Sequence, residues 1–198
     1  MVLSWKYFAG IVPAGDDLQP TSDKRKSILD ARNKTHQEST TAIRELIDAL
    51  DSFRFREAQF QLMNIARSGN KFLADTEPWK LAKEDMEAVG YILNYALSLV
   101  GNLAITSAPF LPDASSAIFR QLNVDHFKEP WRKLWNDKNL VVVPTGHQLN
   151  QPELLYRNVE NEEVQKQMDK LKKESPAEAA SETKQIKPNG VFDEFAKL

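Results

Sequence analysis

Between Asp85 and Ser107 the chain carries Val89, Ile92, Leu93, Ala96, Leu97, Leu99, Val100 and Leu103, spread around most of the circumference of a helix. A helix apolar on so many sides must be central, surrounded by other elements rather than laid on a surface. The flanking sequence supplies them as further helices. From Thr21-Ser22-Asp23, whose side-chain oxygens can accept from the unpaired N–H groups of a first turn, a long helix is predicted to about Leu50. Ile43, Leu46, Ile47, Leu50 and Phe53 recur on it at helical spacing and form a core stripe. Across the short Asp51-Ser52 break a second helix, roughly Arg54 to Ala74, returns antiparallel with Phe55, Ala58, Leu62, Ile65 and Phe72 on its apolar side. Thr76 and Pro78 then start a short helix carrying Trp79. Pro109 and Pro112 end the central run, and Asp113 is expected to cap one more helix to about Leu122, adding Ile118 and Phe119 to the core. The fold class is all-α, an antiparallel helix bundle over residues 1–143. Asn94 and Asn102 fall among the apolar residues and need hydrogen-bond partners there.

The ends of the chain read differently. Val2 to Ala9 looks like the last turns of a helix stopped by Gly10. It is too short to cross a membrane and lacks the basic start and cleavage pattern of a signal peptide. After Pro144, residues 144–174 are predicted as an extended segment followed by a charged helix, about Glu160 to Lys173. Val164, Met168 and Leu171 make a thin stripe on that helix, enough to lie on a partner but not to build a core. Residues 175–198 begin with an Ala, Glu, Ser and Lys-rich stretch to Pro188 that reads as a flexible linker. A chain of 198 residues with 41% hydrophobic content sustains one fair-sized core and a tail, not two large domains. The absence of cysteine rules out disulfides and thiolate zinc sites and suits a reducing compartment, so a soluble cytoplasmic protein is expected.

Chemistry is sparse. His36, His126 and His147 lack metal-ligand spacing, no glycine-rich phosphate loop is present, and the carboxylates do not form an acid/base pair. No catalytic residue is assigned. A formal net charge of -2 supplies no general attraction for polyanions, so any nucleic-acid contact has to be local. Lys24, Arg25, Lys26, Arg32 and Lys34 on the long helix read first as a solvated face. Arg54 and Arg56 point outward, with Glu57 an ion-pair partner. Gly69 implies a close approach by another backbone or a ligand. Trp79, on physics alone, is more readily a core residue than a ligand contact. Trp131, Trp135 and the valines to Val143 are expected to seal the base of the bundle.

The order of three pieces changes the weight on Trp79. Phe-Arg-Phe-Arg-Glu-Ala from Phe53, Gly-Asn-Lys-Phe from Gly69 and Glu-Pro-Trp-Lys from Glu77 together resemble the anticodon-binding domain of methionyl-tRNA synthetases. Thr-Ser-Ala-Pro-Phe-Leu-Pro from Thr106 is similar to that family's link into its last bundle helix, and the segment from Gly146 to Arg157 is similar to the one leading back toward the catalytic domain. The ending from Val191 resembles the start of an appended tRNA-binding OB-fold domain. The resemblance implies that the chain is a piece of a methionine–tRNA ligase, an ATP-dependent class I aminoacyl-tRNA synthetase, and that it binds rather than catalyses. It implies Trp79 as the stacking face for the first anticodon base; Lys71, Lys80 and Lys83 lie on the same corner and are weaker candidates for phosphate contacts. The partners implied are the anticodon loop of methionine tRNA and the enzyme's own catalytic and OB-fold domains, through the last of which the intact enzyme can dimerise. DNA and membranes are not expected partners. No cofactor is expected in this part; ATP, and zinc as a further candidate, belong to the catalytic domain. One departure is that the family's Asn-x-x-x-Arg pair, which helps read the anticodon, would precede Met1. Weak, unselective tRNA binding by this chain alone is therefore expected. Two other readings stay open: a structural adaptor docking a protein through its amphipathic tail, and the equivalent domain of the Ile, Val, Leu or Cys enzymes.

Overall fold

The computed structural model describes residues 1–15, 17–124 and 143–174, with side chains to Leu171. Within them the helices are α1 (Val2–Phe8), α2 (Asp23–Asp51), α3 (Phe55–Thr76), α4 (Pro78–Leu81), α5 (Met86–Ser107), α6 (Pro112–Leu122) and α7 (Asn161–Glu174). The all-α expectation holds. The segments expected to seal the base with Trp131 and Trp135 and to form the linker of 175–198, with the OB-fold start, lie outside the described residues.

Met1–Leu155 is one compact unit. The predicted central helix is its axis: α5 packs against α2, α3, α4 and α6, and Ala88, Val89, Ile92 and Ala104 are fully buried. By length and composition α5 would cross a membrane, yet most of it is enclosed by protein, which accounts for its hydropathy. Around it, Ile43, Leu46 and Ile47 of α2 meet Ala58, Leu62 and Ile65 of α3 and Phe119 of α6 in one cluster. A second cluster joins Ile28 and Phe72 to Leu81, Val89 and Ile92. Burying a side chain of this size contributes about 1.5–3 kcal/mol.

The helix ends follow from local chemistry. Ser22 caps α2, its Oγ accepting from the Arg25 N–H at 3.2 Å. At the other end Arg54 N–H donates to Ala49 O at 2.8 Å and Phe53 N–H to Leu50 O at 3.0 Å, with Phe53 left-handed at φ 57°. This paired 6→1 and 5→2 closure turns the chain out of the helix at Phe53. The expected stripe is corrected there: Phe53 is 79% and Phe55 56% exposed, because Phe53 falls in the turn beyond the end of α2 and Phe55 is the first residue of α3. The two rings touch edge-on at 6.3 Å instead. The cap of α6 also moves. Leu111 occupies the cap position, Pro112 starts the helix and Asp113 sits in its first turn, so Pro112 opens α6 rather than closing α5. Gly69 meets no backbone: a Cβ there would lie 3.7 Å from Leu99, in ordinary contact.

Residues 144–155 belong with the bundle, and the compact unit runs past the boundary expected at 143. Ile11 and Gln148 form an antiparallel bridge, extended by Val12 N–H to His147 O at 2.9 Å and Leu149 N–H to Gly10 O at 2.8 Å. The same segment closes the C-terminus of α6. His147 Nε2 donates to Leu122 O at 2.7 Å, Asn150 N–H to Gln121 O at 3.0 Å and Asn150 Nδ2 to Arg120 O at 2.7 Å, satisfying carbonyls that no further turn can reach. Leu149 is 1% exposed. The two buried asparagines find partners as required: Asn94 Nδ2 donates to Pro13 O at 2.8 Å and Asn102 Nδ2 to Ser98 O at 2.6 Å. Gly15 lies so close to Asn94 that a Cβ would fall on its side chain.

Tyr156–Leu198 is the other unit. In it Arg157 holds Glu163 through two hydrogen bonds of 2.6 and 2.8 Å, and α7 presents Val164, Met168 and Leu171 exposed, as the thin stripe predicted.

Candidate nucleic-acid interface

Pro78 creates the corner that carries Trp79. A residue before proline is kept out of the right-handed helical region by the proline ring, and Glu77 adopts φ 45°, ψ 56°. That one left-handed residue stops α3 and lets α4 begin in a new direction, with Pro78 at its first position, where no N–H is needed. Thr76 Oγ donates to Phe72 O at 2.7 Å and Glu77 N–H to Leu73 O at 3.0 Å, closing the end of α3. Pro78 and Leu81 are buried and anchor α4, whereas Trp79 between them is 46% exposed. A large aromatic with about half its surface in water, on a four-residue helix held by its neighbours, offers a face to a planar ligand.

The lysines around it are less available than the sequence suggests. Lys80 is paired with Glu77 at 2.7 Å and Lys71 with Asp75 at 2.9 Å. Lys83 is exposed and has no ion pair among the described residues. With Glu84 and Asp85 following, the corner carries mixed charge rather than a basic patch. Exposed pairs of this kind hold about 1 kcal/mol or less, so an incoming phosphate can compete for either lysine.

The cations of α2 are not all a solvated face. Arg25 spans to the start of α5, where Nε meets Asp85 Oδ2 at 2.7 Å, and Nη2 meets Asp85 Oδ1 at 2.9 Å and Glu87 Oε2 at 2.8 Å. The Arg25 side chain is 15% and that of Asp85 24% exposed. Asp85 is also the cap of α5, accepting from the Ala88 N–H at 3.0 Å. The Arg25 hydrogen bonds, opposed by burial and aided by the cap bond, hold the Asp85 carboxyl below the usual carboxylate range, and the same pairing raises the Arg25 guanidinium. Arg32 lies over the rings of Tyr91 and Tyr95 at 6.0 and 5.2 Å. Burial lowers the imidazole of neighbouring His36 and pushes the Tyr95 phenol above its ordinary value. Sequence reasoning missed the Arg25–Asp85–Glu87 cluster. A carboxylate ahead of an apolar run signals a cap, but nothing local reveals a partner sixty residues upstream.

The described residues contain no group of three His, Cys, Asp or Glu placed to hold a metal. A shallow groove of about 600 Å³ between α2 and α3, reaching Lys71, is lined by Gln37, Glu45, Gln61, Asn64 and Arg67, again of mixed sign.

Comparison with known proteins bears on the same segments. The chain is 45% identical over 200 residues to the methionine–tRNA ligase of Bacteroides fragilis, and 39% identical to that of Porphyromonas gingivalis. All of this chain is covered in both, but only 27% of each relative, so the chain spans about a quarter of their length. Among solved structures, the apo methionyl-tRNA synthetase of Mycobacterium tuberculosis superposes with a TM-score of 0.59 at 16% identity, over 80% of this chain and 30% of that one, a likeness of fold. Residues 24–175 match the sequence model of the anticodon binding domain of methionyl tRNA ligase, which includes α2 to α6 and the Trp79 corner; the chain belongs to that family.

Proposed function

We propose that this chain is the anticodon-reading part of a methionine–tRNA ligase that joins methionine to its tRNA with ATP, and that Trp79 is the stacking face for a base of the anticodon loop. The carrying observation is the half-exposed indole on an anchored corner, within the segment that matches the family. An enzyme that charges a tRNA must sense an anticodon far from the amino acid, and unstacked loop bases are held by aromatic faces and edge hydrogen bonds. Lys83, and Lys71 and Lys80 once released from Asp75 and Glu77, meet phosphates of the loop and position it without specifying sequence. The rest of the enzyme supplies the catalytic domain, ATP and any zinc; no residue of this chain is assigned to them. The enzyme works in the cytoplasm, which the cysteine-free sequence suits. Its downstream OB-fold domain adds tRNA affinity and a dimer contact. The adaptor reading loses support from the family match, as does the reading as another class I enzyme.

Trp79→Ala in the full-length ligase tests this. Stacking on an aromatic is worth about 1–3 kcal/mol per base, so KM for tRNA is expected to rise roughly 5- to 150-fold. The melting temperature stays nearly unchanged. A large loss of stability with unaltered tRNA affinity would show Trp79 to be a packing residue.

A further inference from the structure

α4 is a single turn of four residues, too short to be stable by its own hydrogen bonds. Its position comes from what holds its two ends. On the upstream side the left-handed Glu77 and the buried Pro78 join it to α3. Downstream, Glu84 N–H and Asp85 N–H both donate to Leu81 O at 2.9 Å, tying the last residue of α4 directly to the cap residue of α5. That cap residue is the one Arg25 grips. The guanidinium makes two bonds to Asp85 and one to Glu87 and is itself set by the first turn of α2, where Arg25 N–H donates to Ser22 Oγ. A continuous chain of short polar contacts therefore runs from the start of α2, through Arg25 and Asp85, to the end of the helix bearing Trp79.

We propose that Arg25, through its fork to Asp85 and Glu87, is a positioning residue that sets tRNA affinity by fixing the Trp79 corner, without touching RNA. This rests on Trp79 being the stacking face. Arginine is suited to the task because its planar fork bridges both Asp85 oxygens and Glu87 at once, which a lysine ammonium cannot do. The same guanidinium also offsets one of the two carboxylate charges at the start of α5.

The test is a cycle in the full-length ligase comprising Arg25→Ala, Trp79→Ala and the double variant, with Arg25→Lys as the variant that keeps the charge. Misplacing a contact by an ångström can cost up to about 100-fold, and Arg25→Ala is expected to raise KM for tRNA roughly 10-fold or more. kcat at saturating tRNA and tRNA-independent methionine activation, read by ATP–pyrophosphate exchange, remain unchanged. Arg25→Lys recovers part of the loss. On the Trp79→Ala background the Arg25→Ala effect shrinks to about twofold, since residues acting through one contact are not additive. If the two effects multiply in full, or if Arg25→Ala leaves KM unaltered while Trp79→Ala raises it, the positioning role is wrong and the stacking site survives. If Trp79→Ala itself leaves KM unaltered, the stacking site falls and the positioning role with it.

Discussion

Trp79 and Arg25 illustrate how much a residue's role depends on what faces it. Both occupy helices, and both types are common at recognition surfaces, but the indole is left half in water while the guanidinium is folded into three hydrogen bonds. The Asp85 carboxyl has a consequence for stability. Because Arg25 keeps its pKa low in the folded state, the carboxylate contributes stability that is present above the ordinary carboxylate value of about 4 and lost as pH falls toward the depressed one. Urea melts across the acid range are expected to show stability dropping below about pH 4, with a shallower drop in Arg25→Ala. Equal slopes would mean that the pair carries no linkage. Lys83, which has no ion partner among the described residues, is expected to carry more of the salt dependence of tRNA binding than Lys71 or Lys80. Lys83→Ala should lower the slope of log K against log salt by about 0.7, one phosphate's worth for single-stranded RNA, and a titration at several salt concentrations measures it.

At the scale of elements, the strap of residues 145–153 is the part whose importance is least visible in its composition. It adds a two-stranded contact to the turn after α1 and closes the end of α6, and its one deeply buried apolar residue is Leu149. Leu149→Ala is expected to destabilise the bundle by about 2–5 kcal/mol, whereas Leu154→Ala, at a residue 91% exposed, should stay within about 0.5 kcal/mol of wild type. Equilibrium urea unfolding distinguishes the two. The α2–α3 hairpin shows the opposite case. Phe53 and Phe55 extend an apolar pattern that predicts them in the core, yet α2 stops at Asp51, two residues short of Phe53, and the left-handed turn leaves both rings exposed.

For the whole molecule, the compact unit ends at Leu155, and the described contacts that shape the Trp79 corner lie within it. A chain ending at Leu155 is therefore expected to melt at the same temperature as the complete 198 residues in differential scanning calorimetry. A clearly lower value would show that the unit from Tyr156 supports the bundle. The bundle was legible because its signals are periodic and local: an all-round apolar helix, a hydroxyl cap at Ser22 and a proline at the start of α4 each declare themselves within a few residues. By itself the sequence determined that α5 is central, that α2 and α3 form an antiparallel pair, and that an aromatic stands at the corner after Pro78. Only the tertiary structure decided that Trp79 stays open, that Arg25 is spent on Asp85 and Glu87 rather than on solvent, and that residues 145–153 fold back onto α6. Those outcomes depend on pairings between positions far apart in the chain, such as Arg25 with Asp85 and Trp5 with Asn150, and no local periodicity encodes which distant group will arrive.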